Sequence, residues 1–438
     1  METSQAKKLW EKGISTDEWI ERFTVGNDRQ LDLELAKYDV QGTIAHITML
    51  ESIGLLTADE LGQLVAELKR ILEEVIEPGH FVIEEGVEDV HSQVELMLTE
   101  ALGDVGKKVH AGRSRNDQVL VDLRLFFREE LRAVSEYIRM LFDELIAQSE
   151  ANKEVLIPGY THTQAAMPSS FGLWFGAYAE SLTDDTLLLA SVLELVNRNP
   201  LGSAAGYGSS FPLNRTMTSE LLDFDGPNVN VVYAQMTRTK IEQSIAFALS
   251  GLATTLNKLA SDICMYNSQN FGFIKLPDEL TTGSSIMPHK KNPDVFELIR
   301  VKTNRIKALP NEVMMATTNL TSGYHRDFQL LKDMLFPALA DIKELLSITA
   351  YAIHRMNVNP DIMDDDRYRL IFSVEKVNEL VQSGVPFRDA YKTVAEEIES
   401  GKFQQKTELN HTHLGSIGNL GNGHIQKRMN QVMQAFVK

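Results

Sequence analysis

Cysteine is nearly missing from this sequence: Cys264 stands alone among 438 residues, so no intrachain disulfide can form and a reducing compartment fits. Proline is scarce too, at 13 residues, and no apolar run approaches the roughly 20 residues of a membrane span. Basic residues are outnumbered, 43 against 61 acidic, and the net charge of −18 argues against a nucleic-acid partner. An anionic small molecule stays admissible, because a locally basic site can sit in an acidic protein. Metal and nucleotide motifs are also missing. There is no HExxH, no paired CxxC and no GxxxxGK(S/T), and His411-Thr-His413 has no partner ligands nearby, so neither metal nor cofactor is expected. The opening METSQAKKLWEKG has basic residues but no following apolar run, unlike a secretory signal. The expectation is a soluble cytoplasmic chain whose 43% apolar residues suffice for a large core.

Helical pattern fills most of what is there. Between Gly112 and Pro158 lie 45 residues without Gly or Pro. Within them Leu120, Leu123, Phe127, Leu131, Val134, Ile138, Leu141 and Leu145 follow the three- and four-residue steps of one helix face. A single helix there would run on the order of 60 Å at about 1.5 Å per residue, which implies a long bundle. Residues 169–199 and 234–270 read likewise, the second with Gly251 as its one breaker. Residues 293–309 open on Pro293, favoured in a first turn, and 327–356 carry Pro337, expected to kink. The pattern predicts an all-α fold in three parts: an N-terminal helical domain (1–106), a central long-helix bundle (107–356) and a smaller C-terminal helical domain (357–438). Thr57-Ala-Asp-Glu60 fits a capping box in the first, and Gly415, Gly418, Gly421 and Gly423 punctuate the last.

Three connections concentrate polar chemistry, as loops held on a rigid scaffold do. In His110-Ala-Gly-Arg-Ser-Arg-Asn-Asp-Gln118, Ser114 and Asp117 fit an N-cap pattern that puts Arg115 and Asn116 on a helix's opening turn. Free N–H groups, the positive dipole end and an arginine fork suit a carboxylate or phosphate; a merely well-capped helix with solvated arginines suits the segment as well. In Pro158-Gly-Tyr-Thr-His-Thr-Gln-Ala-Ala-Met-Pro168, His162 could serve as acid or base, or be structural. In Thr281-Thr-Gly-Ser-Ser-Ile-Met-Pro-His-Lys-Lys-Asn-Pro-Asp294, serine hydroxyls, Lys290 and Asn292 gather around a glycine that permits close backbone approach, although an exposed linker is the simpler reading.

Together the three segments resemble a known family. Gly283-Ser-Ser-Ile-Met-Pro-His-Lys-Lys-Asn-Pro293 looks like the signature of the fumarase/aspartase superfamily, helical homotetrameric lyases that release fumarate. With Gly112-Arg-Ser-Arg-Asn-Asp-Gln-Val119 and Pro158-Gly-Tyr-Thr-His162, it is similar to the argininosuccinate lyase and delta-crystallin branch. Lys8-Leu-Trp10, Tyr38-Asp-Val-Gln-Gly42, Glu88-Asp-Val-His91, Pro200-Leu-Gly202 and Gly384-Val-Pro-Phe-Arg388 extend the match over nearly the whole chain.

The resemblance implies β-elimination of argininosuccinate to arginine and fumarate in arginine biosynthesis. Removing a proton beside a carboxylate builds a doubly negative aci-carboxylate, which needs preorganised donors and cations. By resemblance Ser284 is the base, His162 acts at the leaving nitrogen, Lys290 stabilises charge and Glu297 pairs with the histidine. Arg115, Asn116 and Thr161 map onto carboxylate-binding positions, and Ser114 and Asn292 are further substrate-binding candidates. Tyr324, Gln329 and Lys332 map onto the site for the rest of the substrate, and Arg238 onto a matching arginine. The family builds each site from three subunits of the tetramer, and the Pro/Gly/Ser content of 282–293 suggests a lid that closes over substrate.

Departures cluster around the amino-acid end. The family's GGRF becomes Glu11-Lys-Gly-Ile14; an arginine is lost at Ala165; QEDK becomes Gln329-Leu-Leu-Lys332; His289 and Thr239 replace a glutamine and an aspartate. An N-acylated argininosuccinate is therefore an alternative substrate, and a catalytically silent, crystallin-like role the alternative of another class.

Overall fold

The structure, a computed structural model, describes residues 18–405 and 409–437. The Lys8-Leu-Trp10 match and the Glu11–Ile14 departure lie outside these residues. The fold is all-α, built on five long helices: Arg115–Ala151, Phe171–Val196, Val231–Tyr266, Asp294–Ala316 and Leu330–Arg355. Among the described residues no helix is long and apolar enough to cross a membrane.

The Arg115–Ala151 helix follows from its sequence. It has 37 residues, hence about 55 Å of length, and all eight apolar residues of the expected face, from Leu120 to Leu145, are buried. Two other helices differ from expectation. Val231–Tyr266 runs straight through Gly251 and breaks instead at Arg238 (φ −56°, ψ 145°) and Thr239 (φ 70°, ψ −47°). Thr239 is β-branched and sits in left-handed backbone, a conformation that persists only where its surroundings impose it. Asp294–Ala316 continues through Pro310. Pro293 caps it rather than opening it, its carbonyl accepting from the Phe296 and Glu297 amides at 2.9 and 3.1 Å. Leu330–Arg355 contains Pro337.

The chain divides into two compact units. The first comprises Met1–Ala133, Ser191–Leu249 and Ala308–Ala340, the second Val134–Ala190, Ser250–Lys307 and Asp341–Lys438. In the first, the Ala58–Arg70 helix opens on the expected capping box: the Glu60 amide donates to Thr57 Oγ1 at 3.2 Å, and the Thr57 amide to Glu60 Oε2 at 3.0 Å. In the second, the terminal helix Asn422–Met433 is anchored by Asn422, whose amide donates to Ser149 Oγ (2.9 Å) and Glu150 Oε1 (2.7 Å).

Among the described residues the one sizeable β element lies in the second unit, where only a loop was expected. Strands β1 (Leu156–Thr161) and β2 (Gln164–Ser170) form an antiparallel hairpin joined by His162 and Thr163, with φ of 51° and 61°. Two left-handed residues in a two-residue turn match the twist of flanking strands, and Asn-Gly is the usual sequence for it. Local propensity gives no hint of the turn when His-Thr stands there.

Candidate active site

The first unit contains a pocket of about 150 Å³ that brings together six of the anticipated residues: Arg115, Asn116, Arg238, Tyr324, Gln329 and Lys332. Its floor is the start of the Arg115–Ala151 helix. The Ser114 amide donates to Asp117 Oδ1 at 2.8 Å, and Ser114 Oγ accepts from the Asn116 amide at 3.3 Å. Asp117 is fully buried, and its other oxygen accepts from the Gly202 and Ala204 amides at 2.9 and 2.8 Å. This cap fixes Arg115 and Asn116 on the first turn. Ser114 itself is spent on the cap and does not line the pocket.

Arg115 is held against acidic residues rather than solvated. Its Nη1 lies 3.0 Å from both Glu88 and Asp89, and Nη2 donates to Ser92 Oγ at 2.7 Å. Arg238, at the helix break, is buried and donates from Nε to Glu242 (2.8 Å) and from Nη2 to the Phe328 carbonyl (2.8 Å). Gln329 donates to the Thr24 and Val25 carbonyls at 3.0 and 2.8 Å. Lys332 is buried between Asp28 (2.7 Å) and Asp32 (2.5 Å). Burial disfavours the Lys332 charge, but the two carboxylates outweigh it and raise its pKa. Burial raises the Asp28 carboxyl to about 6, against the pull of Lys332.

Asp28, Asp32, Glu88, Asp89 and His91 also line this pocket and had no assigned role in the sequence. Glu88-Asp-Val-His91 was visible as a motif; Asp28 and Asp32 carried no signal, because their relevance depends on Lys332 some three hundred residues away. Behind the pocket His91 Nδ1 lies 2.8 Å from Asp39 and 3.4 Å from Asp122, all three buried, and Gln118 donates to Asp39 at 2.7 Å. These are metal-ligand residue types, but the 2.8 Å contact is a hydrogen bond. Burial opposes the imidazolium, yet the carboxylates prevail and raise the His91 pKa to about 9. Asp122, whose two oxygens have no hydrogen-bond partner among the described residues, is held well above the usual carboxylate range by burial.

The remaining anticipated residues lie in the second unit. Thr161 ends β1 opposite Gln164, and His162 stands exposed at the hairpin tip. Loop 283–292 is closed at its base by a short ladder pairing Thr282 with Asn292 and Gly283 with Lys291, reinforced by Thr282–Asp294 and Lys291–Asp278 contacts. Inside it, Ser284 Oγ accepts from the amides of Met287 (3.1 Å) and Ile286 (3.4 Å). Amides aimed at a serine oxygen favour its deprotonated form, the condition for serine to act as a base. Asn292 donates to Thr282 Oγ1 at 3.4 Å. The Lys290 side chain is exposed, as are His289 and Ile286. Glu297 is exposed, 3.8 Å from Arg300; within the described chain no hydrogen bond or ion pair joins it to His162.

Comparison with known proteins agrees with this architecture. A family described as lyase matches residues 11–307. The chain is 63% identical over 431 residues to the argininosuccinate lyase of Bacteroides thetaiotaomicron, across 98% of this chain and 96% of that protein. It is 40% identical over 391 residues to that of Thermotoga neapolitana, across 89% and 98%. Among solved structures, EDDS lyase in complex with formate superposes with a TM-score of 0.73 at 22% identity, covering 97% of this chain and 91% of that one. Class II fumarase from Schistosoma mansoni gives 0.70 at 16%, covering 95% and 94%. The structural likenesses, at such identities, establish the fold: that of the fumarase-type helical lyases. The sequence likenesses go further, and the chain belongs to the argininosuccinate lyase family of lyases.

Proposed function

We propose that this enzyme cleaves argininosuccinate to arginine and fumarate, and so serves arginine biosynthesis in the cytoplasm. The observation that carries the reading is the mixed charge of the pocket. Arg115 and Asn116 at a helix start suit the succinyl carboxylates, while Asp28, Asp32 and Glu88 suit the guanidinium and free ammonium of the amino-acid end. A carboxylate facing the ammonium disfavours an N-acylated substrate, which would offer a neutral amide instead.

The residues then take these roles. Ser284, its oxygen stabilised by the Ile286 and Met287 amides, removes the proton beside the succinyl carboxylate. The electron pair passes into that carboxylate, where Lys290 and Asn292 meet the growing charge. Collapse of the aci-carboxylate breaks the C–N bond, and His162 supplies the proton taken up by the leaving guanidine nitrogen. Thr161 completes carboxylate recognition, Ser114 acts only by capping the turn that carries Arg115 and Asn116, and Tyr324, Gln329, Lys332 and Arg238 hold the distal half. Loop 282–293 closes as a lid over bound substrate.

A homotetramer with each site drawn from three subunits completes this reading, His162 of one copy pairing with Glu297 of another. Exposed apolar side chains on the long helices support association: Leu187, Leu188, Leu298 and Val301 in the second unit, and Phe247 and Met315 in the first. The three-part division at residues 106 and 356 belongs to the same reading.

Following fumarate absorbance with argininosuccinate, N-acylargininosuccinate and adenylosuccinate tests the assignment. Turnover is expected with the first alone. Preference for the acylated compound would overturn the substrate, and no fumarate from any would favour a crystallin-like role.

A further inference from the structure

His162 is carried by a turn that its sequence disfavours, so something beyond the turn must hold it. Neither His162 nor Thr163 is glycine, yet both lie in left-handed backbone. Such residues cost of order 1–3 kcal/mol each and persist only where surrounding structure over-determines them. The tip is exposed and supplies little: Thr163 Oγ1 donates to the His162 carbonyl at 2.6 Å. The restraint therefore lies lower in the hairpin.

It begins at a bulge. Pairing shifts register between Gly159 and Tyr160: Gly159 faces Met167, Tyr160 faces Ala165, and Ala166 is left over. Bulges re-aim side chains and are frequent beside active sites. Gly159 eases the close approach there, since a Cβ would sit 3.1 Å from the Met167 carbonyl oxygen. Tyr160, two residues before His162, packs into an aromatic cluster. Its ring centroid lies 5.6 Å from that of Phe271 and 6.5 Å from that of Phe273, and Phe273 in turn lies 5.9 Å from Tyr368. The Tyr160 hydroxyl points to that of Tyr368 at 3.4 Å, which is long for a hydrogen bond, so the two tyrosines are coupled mainly through the Phe273 ring between them.

Three segments meet at this cluster: the hairpin bearing His162, the Phe271–Phe273 segment ahead of the Ser284 loop, and the C-terminal turn Asp366–Phe372. Tyr368 and Phe273 are buried. Phe273 leads directly into Ile274–Lys275, which pairs with Asn357–Val358. The Tyr368 segment lies outside the stretch that matches the lyase family, 11–307.

We propose that Tyr368, through Tyr160 and Phe273, is a positioning residue for His162, so that the C-terminal part of the chain sets the aim of the proton-donating hairpin. The inference rests on His162 acting in proton transfer. Misplacing a reacting group by about 1 Å can cost on the order of a hundredfold in rate, whereas substrate contacts in the other unit's pocket are untouched.

Steady-state kinetics on Tyr368→Leu, Tyr368→Phe, Phe271→Leu and His162→Ala, with thermal midpoints, test it. Tyr368→Leu is expected to lower kcat at least about tenfold with KM within about twofold. Tyr368→Phe, which keeps the ring, restores kcat to within about threefold. Phe271→Leu, at a partly exposed ring less critical to folding, shows the same split more weakly. Normal kcat in Tyr368→Leu or Phe271→Leu, or a loss that follows KM and is not rescued by phenylalanine, overturns the inference. Inactive His162→Ala beside fully active Tyr368→Leu sinks this inference alone; fully active His162→Ala sinks the role of His162, and the inference with it.

Discussion

Asp28 and His91 are two residues at or beside the pocket whose chemistry the fold alters. Burial pushes the Asp28 carboxyl up to about 6, so it changes charge just below neutrality, where an ordinary aspartate would not. If it receives the substrate's cationic end, binding weakens as the pH falls through 6. The KM for argininosuccinate is expected to rise up to roughly tenfold between pH 7 and 5, and Asp28→Asn should show that higher KM at pH 7 with a flattened profile. A pH profile of KM unchanged by the substitution would count against this role. His91 acts on stability instead. Its folded pKa is raised to about 9, so its stabilisation is complete below about 6.5 and is lost as pH rises through 9. Asp122, raised above the carboxylate range, pushes the same way, because burying its charge becomes costlier as pH rises. Urea denaturation should give a stability that falls by a few kcal/mol between about pH 6.5 and 9, with the slope reduced in His91→Gln.

Among the elements, the start of the Arg115–Ala151 helix and the hairpin show opposite relations to sequence. The helix cap is local: Ser114 and Asp117 lie three residues apart and pair as their types suggest, as do Thr57 and Glu60. Asp117 does more than its spacing indicates, since it also receives the Gly202 and Ala204 amides. Asp117→Ala should strand three amide donors, that of Gly202 buried and those of Ser114 and Ala204 part-buried, and cost about 3 kcal/mol. It should also raise KM, because Arg115 and Asn116 lose their mount; calorimetry and steady-state kinetics check the two effects separately. The hairpin, by contrast, has a turn that His-Thr would not choose and a register shift beside Tyr160, whose ring packs against the distant Phe271 and Phe273. The break at Arg238–Thr239 is similar, appearing at an ordinary Arg-Thr pair while Gly251 stays helical.

At the scale of the whole molecule, the anticipated site residues fall in two groups. Six line a pocket of the first unit, while Ser284, His162, Lys290, Asn292 and Glu297 belong to the second. If sites are completed between subunits, defects in the two groups should complement. Arg115→Ala and Ser284→Ala are each expected to be inactive. Equal amounts, dissociated and reassembled together, should recover about a quarter of wild-type activity if each site draws these residues from different subunits. No recovery in verified mixed oligomers would argue that one chain supplies both residues.

The sequence by itself determined the long helices, their buried faces and the caps, because helical periodicity and capping are short-range and survive without knowledge of the fold. It also carried the family signature in loop 283–293 and in the segments around Arg115 and His162, where chemistry constrains residue type. Only the tertiary structure decided the acidic wall of Asp28, Asp32 and Glu88, the buried His91 cluster, the break at Arg238 and the hairpin beneath His162. Each depends on partners far away in the chain: a carboxylate becomes part of a pocket, or a strained turn becomes tolerable, only when distant residues are packed against it.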